Sequence, residues 1–75
     1  MNKPSDPASF VAPHHVDLTI DFDDMIDDQR RIEAENWCFH RTRRRWFRRV
    51  LTRHGIARFK FEDQKEAALF KLFFQ

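Results

Sequence analysis

The chain of 75 residues and 9.2 kDa is long enough for one small domain. Its 14 basic and 12 acidic side chains are segregated: residues 1–36 hold three bases and nine acids, whereas residues 37–60 hold nine bases and no acid. A lone cysteine excludes an internal disulfide, and a lone glycine argues against a glycine-rich phosphate loop. The longest apolar run, four residues, is too short to span a membrane, so we expect a cytoplasmic protein.

The N-terminal part of the chain is predicted to be an arm followed by a strand. Residues 1–15 include all three prolines, which favour a flexible arm, and residues 16–75 are predicted to form a small α+β domain. Apolar and polar side chains alternate over residues 16–22, as they do in a half-buried strand. Asp23 or Asp24 then provides the N-cap of a helix.

A long helix is predicted in the middle of the chain. Apolar side chains at helical spacing form a stripe from Met25 to His54, which is predicted to face the core and is not interrupted by proline or glycine. Gly55 follows as the residue that ends the helix in a left-handed conformation. The pattern fits one helix of about 30 residues or two helices bent near residues 35–37.

The last part of the chain is predicted to hold a second strand and a short helix. Ala57, Phe59 and Phe61 alternate with basic residues, and Asp63 with Glu66 forms a variant of the capping box. The helix that follows is almost entirely apolar, and its last three residues fit a strand equally well. The predicted fold class is therefore α+β, with two short strands, one long arginine-rich amphipathic helix and a short C-terminal helix.

The arginine-rich run between His40 and Arg53 is the strongest functional feature. Arginine binds phosphates through two parallel hydrogen bonds and stacks on bases, so the run predicts a surface for nucleic acid or an acidic protein. The alternative is a solvated helix face that pairs with the acidic residues earlier in the chain. Trp37 lies off the apolar stripe and is predicted to be an exposed anchor for a partner. The candidate binding residues are Arg41, Arg43, Arg44, Arg45, Arg48, Arg49, Arg53 and Trp37.

An acidic run precedes the arginines and forms the opposite pole of the chain. It is either a second interaction surface, which mimics phosphates or docks on a basic protein, or simply the N-terminus of a helix whose carboxylates reach Arg30 and Arg31. Its members are Asp21, Asp23, Asp24, Asp27 and Asp28.

No catalytic or metal-binding pattern stands out. On a helix, Cys38 and His40 point about 200° apart, which does not suit a nucleophile and its base. The cysteine and the histidines lack the spacing of a zinc site. We therefore expect no catalytic residues, no metal and no cofactor, and a small nuclease is the least favoured hypothesis.

The segment from Arg58 to Leu72 carries two resemblances. It is similar to the strand-to-helix passage of RNA-recognition motifs, although the Gly-Phe-Gly-Phe type of strand is missing. Its strand followed by Asp63-x-x-x-Ala67-x-x-Phe70-Lys-Leu also resembles the ending of small proteins encoded by tailed phages. That second resemblance implies a non-enzymatic regulator that binds bacterial RNA polymerase in the host cytosol. A direct nucleic-acid-binding module is the alternative, and the oligomeric state stays open.

Overall fold

The main elements follow one another in the order strand, helix, strand, strand, helix in the computed structural model, which describes residues 1–6 and 12–75. They are β1 (His14–Thr19), α1 (Met25–Arg41), β2 (Trp46–Leu51), β3 (Ile56–Phe61) and α2 (Gln64–Phe74), with a 3-10 turn at Thr52–His54 between β2 and β3. The domain is α+β, as predicted. It has three strands within the described residues, so the prediction of two is wrong.

The three strands form one antiparallel sheet in the order β1-β3-β2. β3 lies in the centre, so β1 and β2 are parallel to each other and α1 connects them in a split βαβ arrangement. Phe59 and Phe61 of β3 face the two helices, together with Val16 and Leu18 of β1. Both helices therefore cover one face of the sheet, and the basic residues of β3 point to the opposite face.

The predicted long helix is wrong, because α1 ends at Arg41 and the chain continues as β2. Thr42 takes an extended conformation (φ −89°, ψ 151°), and its hydroxyl donates to the carbonyl of Cys38 at 2.6 Å. A continuous helix would also stack several arginines four residues apart, which is unfavourable for like charges. As a strand, the same segment buries Trp46 and Phe47, which are 2% and 8% exposed.

Only the end of the apolar stripe of α1, at Phe39, packs against the core, and its first part does not face the core as predicted. Met25 and Ile26 are 88% and 84% exposed, and Ile32 is also exposed. The helix instead buries Ala34 and Cys38. Small side chains at these two positions let the helix approach the sheet closely, which a search for large apolar residues at helical spacing does not detect.

The C-terminal helix agrees with its prediction and stays helical to Phe74. The side chain of Asp63 caps it by accepting a hydrogen bond from the amide of Lys65, whereas Glu66 does not return to Asp63 and so does not complete a capping box. Phe70 lies at the centre of the core, with its ring centroid 4.7 Å from that of Phe59. The helix is therefore attached to the sheet mainly by aromatic packing.

Gly55 ends the 3-10 turn of the β2–β3 hairpin rather than a long helix. Its φ of 63° is left-handed, and a Cβ at this position would lie 3.3 Å from the carbonyl oxygen of Ile20. The carbonyl of Gly55 accepts a hydrogen bond from the amide of Ile20 at 2.8 Å. The glycine thus permits both the turn and the close approach of the segment after β1.

The first residues of the predicted arm contact the domain. Trp46 Nε1 donates to the carbonyl of Asn2, and the amide of Ser5 donates to the carbonyl of Trp46, each at 2.7 Å. β1 begins at His14, within the predicted arm, and residues 7–11 lie outside the described part of the chain. The flexibility of residues 1–15 and the domain boundary at residue 16 stay predictions.

Candidate nucleic-acid interface

The face of the sheet opposite the helices is rich in basic residues, and we call it the open face. Its positions are set by strand alternation, because Arg58 and Lys60 occupy the residues between the buried ones of β3. The cross-strand register places Lys60 opposite Phe47 and Arg58 opposite Arg49. By the register, the open face consists of His15, Asp17, Thr19, Phe47, Arg49, Leu51, Ile56, Arg58 and Lys60.

Arg58 is held in place by Asp17 on the neighbouring strand. Its Nε and Nη2 donate to the two carboxylate oxygens of Asp17 at 2.8 and 3.0 Å. These hydrogen bonds lower the pKa of Asp17 and raise that of Arg58. This bidentate contact fixes the orientation of the guanidinium plane, so the Arg58 side chain is a rigid part of the open face.

Arg49 lies directly opposite Arg58 in the β2–β3 ladder and is exposed. Like charges at directly opposed positions destabilise a sheet. Within residues 1–6 and 12–75, no carboxylate forms an ion pair with Arg49. Asp17 balances the charge of Arg58, so Arg49 is the member of this pair that brings positive charge without an ion pair in the described residues, as an anion-binding surface does.

Lys60 and Phe47 complete this part of the face. The Lys60 ammonium lies 5.5 Å from the centroid of the Phe47 ring, within the range of a cation–π contact. Phe47 is only 8% exposed, although it lies on the open face. A depression of about 400 Å³ runs beside it and is lined by Phe47, Arg48, Arg49 and Lys60. Its lining combines a cationic rim with an apolar floor.

The predicted binding arginines do not form one helical face. Arg45 pairs with Glu62 and lowers the pKa of that carboxyl by hydrogen bonding, and Arg48 pairs with Glu35 of α1 on the helix side of the sheet. Those two are therefore partly neutralised. The candidates for which the described residues offer no ion pair are Arg41, Arg43, Arg44, Arg49 and Arg53.

Three of these arginines lie in residues 41–45, which run from the last residue of α1 to the start of β2 and which we call the basic loop. Glu66 of α2 accepts hydrogen bonds from the backbone amides of Arg43 at 2.7 Å and Arg44 at 3.2 Å. From the other side, the side-chain amide of Asn2 donates to Thr42 Oγ1 at 2.9 Å. The backbone of the loop is thus held by two distant segments, and its arginine side chains remain exposed.

The acidic run serves the start of α1. Asp24 caps the helix by accepting from the amide of Ile26 at 3.0 Å, and Asp27 pairs with Arg30 at 2.8 Å. Asp28 pairs with Arg31 at 2.7 Å. Asp21 accepts from the amide of Asp23 at 3.1 Å. None of these contacts involves the basic loop or β2, so the alternative in which the arginine run pairs with the acidic run does not occur within the described residues.

Trp37 is half-buried rather than exposed. It packs between the helices, with ring centroids 5.7 Å from Phe70, 6.0 Å from Phe73 and 6.2 Å from Phe74. Trp37 lies off the apolar stripe because it is on the side of α1 that packs against α2. The sequence pattern predicted that this side faces solvent. A role for Trp37 in partner binding stays a prediction.

Sequence analysis missed Arg58, Lys60 and Glu66 as members of the site. The alternation over Ile56–Phe61 was the available signal for the first two, because it assigns both side chains to the face opposite the core. Glu66 binds a loop that precedes it by more than twenty residues, and no local pattern indicates such a contact.

The remaining polar side chains of the described residues form no metal centre. Cys38 is buried, and burial raises the pKa of its thiol. Residues 1–6 and 12–75 contain no group of three or more His, Cys, Asp or Glu side chains that could hold a metal ion. Neither described helix has the length and apolar character needed to cross a membrane.

Comparison with protein-family models, with curated proteins and with solved structures finds no match.

Proposed function

We propose that the protein is a non-enzymatic regulatory binding protein whose open face contacts nucleic-acid phosphates at the bacterial transcription machinery. The observation that supports the nucleic-acid part is the cross-strand pair of Arg49 and Arg58, with Lys60 beside it, on the face that the helices do not cover. The resemblance of the C-terminal segment to phage-encoded regulators of RNA polymerase supports the transcription part.

The geometry favours contact with the backbone of the nucleic acid over contact with its bases. Arg49 and Arg58 present guanidinium groups from adjacent strands, and Lys60 adds a compact charge on the same face. Phe47, the aromatic residue of the open face, is almost fully covered and offers little ring surface for stacking. We therefore expect binding that depends strongly on salt and weakly on sequence.

The test is the salt dependence of binding to a fluorescein-labelled single-stranded RNA, measured by fluorescence anisotropy. Three phosphate contacts predict a slope of about −2 in a plot of log K against log [salt]. Replacing Arg49 and Lys60 with alanine removes two contacts and should flatten the slope by about 1 to 2. The matched control replaces Lys65 and Lys71 of α2, which removes the same charge from the other layer and should leave the slope unchanged. Equal slopes for the two double variants would refute the assignment.

A general nucleic-acid-binding module without a protein target is the second candidate, and the open face fits it equally well. A pull-down from bacterial lysate with and without nuclease separates the two. RNA polymerase enriched by the wild type and lost from the Arg49→Ala/Lys60→Ala variant supports the regulatory proposal. Capture of many unrelated nucleic-acid-binding proteins, all lost with nuclease, supports the second candidate instead.

A further inference from the structure

The outer surface of α2 exposes three large apolar side chains. Leu69, Leu72 and Phe73 are 50%, 76% and 65% exposed, and their spacing of three and four residues places them on one side of the helix. The Phe73 ring also contacts Trp37 of α1, with centroids 6.0 Å apart. The apolar patch therefore extends towards the seam between the helices, and contiguous apolar surface of this kind marks an interaction site.

The helix layer that carries the patch also has an electrical polarity. The acidic run, residues 21–28, lies at the start of α1, and the basic loop, residues 41–45, lies at its end. The 17 residues of α1 separate the two by about 25 Å. Glu66 ties the start of α2 to the basic loop, while Phe73 and Phe74 near its end pack on Trp37 within α1. The helices are thus antiparallel, with the apolar patch between a basic end and an acidic end.

We infer that the helix layer is the interface of a symmetric dimer, in which a second copy of this chain covers the apolar patch. A twofold axis that crosses the helices at right angles makes them antiparallel to those of the second copy. Such an axis places Leu69 and Leu72 against the same patch of the other copy, and it sets each basic loop opposite the other copy's acidic run. A twofold interface must be self-complementary. The central apolar patch and the opposite charges at equal ends meet that requirement.

The charges of the described residues favour a second copy as the occupant. Arg41, Arg43 and Arg44 form no ion pair within the described residues, and the acidic run makes its ion pairs only inside α1. One antiparallel arrangement supplies opposite charge to both ends at once. This inference does not depend on the proposed function, because the open face lies on the other side of the sheet and both open faces of the dimer would point outwards.

Sedimentation velocity of the full chain over a concentration series tests the interface. The wild type should dimerise reversibly, and Leu69→Lys/Leu72→Lys should weaken the dimer at least tenfold in Kd. Both leucines are substantially exposed, so circular dichroism should show the variant folded. The controls Leu72→Met, which keeps the apolar surface, and Arg49→Ala, on the open face, should dimerise like the wild type. A monomeric wild type would leave the patch to another partner and overturn the inference, as would a dimer that survives the double substitution.

A charge exchange tests the antiparallel arrangement. Arg44→Glu sets a carboxylate opposite the other copy's acidic run, and Asp23→Arg sets a guanidinium opposite the other copy's basic loop, so each variant alone should dimerise more weakly than the wild type. A mixture of the two should form a heterodimer severalfold tighter than either homodimer, because both end contacts regain opposite charges. A mixture that associates no better than its separate components would overturn the arrangement.

Discussion

Phe70 carries more of the packing between α2 and the sheet than any other residue of that helix, and Phe70→Leu measures that role. Its ring is fully buried, with centroids 4.7 Å from Phe59, 5.2 Å from Phe61 and 4.8 Å from Phe74. Truncating a buried phenylalanine to alanine costs about 3–5 kcal/mol. Leucine keeps roughly half of the lost apolar volume, so we expect a loss of about 2 kcal/mol. In a domain of this size that lowers Tm by about 8–16 °C.

Phe73→Leu is the matched control, because it makes the same change three residues along the same helix. Phe73 is 65% exposed, and its ring contacts Trp37 at the edge of the core, so we expect a loss of about 0.5 kcal/mol or less. Thermal and urea unfolding followed by circular dichroism, at one fixed protein concentration, give both values. A loss from Phe73→Leu equal to that from Phe70→Leu would refute the described orientation of α2.

Three further predictions concern pH, the basic loop and the thiol. Because Arg58 holds the pKa of Asp17 below its ordinary value, the pair stabilises the fold at neutral pH. That contribution is lost as pH falls from about 4 through the lower native pKa, so the stability advantage of the wild type over Asp17→Asn in urea unfolding should shrink steadily as pH falls below about 4. Glu66→Gln should speed the hydrogen exchange of the two basic-loop amides that Glu66 binds by about tenfold, as measured by NMR. Unchanged exchange rates would contradict the role of Glu66 in holding the loop. Cys38 should react with a thiol reagent far more slowly in the native protein than in urea, and equal rates would contradict its burial.

Sequence patterns identified the elements whose periodicity is unambiguous. The alternation in β1 and β3 fits a strand, and the apolar density of α2 fits a helix up to its last three residues; those elements were predicted with small errors at their ends. The segment around Trp46 was different, because its apolar residues follow helical spacing and do not alternate as in a strand. The contact of Thr42 with Cys38 ends the helix locally, and pairing with β3 determines that a strand follows.

The site was harder to predict than the fold, because ion pairs between residues far apart in the chain determine which of its arginines are neutralised. In the sequence, nothing distinguishes Arg45 and Arg48 from the other arginines of the run. In the structure, Arg45 pairs with Glu62 and Arg48 pairs with Glu35. Whether an arginine is available to a partner depends on such distant carboxylates. The sequence therefore indicated a stretch of basic residues without distinguishing its ion-paired members from the others.

The most direct test of the proposed function is an NMR titration of the ¹⁵N-labelled protein with a short single-stranded RNA. The account predicts that the largest shift changes occur at Arg49, Arg58 and Lys60, on adjacent strands of the open face, and that Leu72 on the outer side of α2 is unaffected. Shift changes confined to the basic loop or to the helix layer, with the open face unchanged, would contradict it.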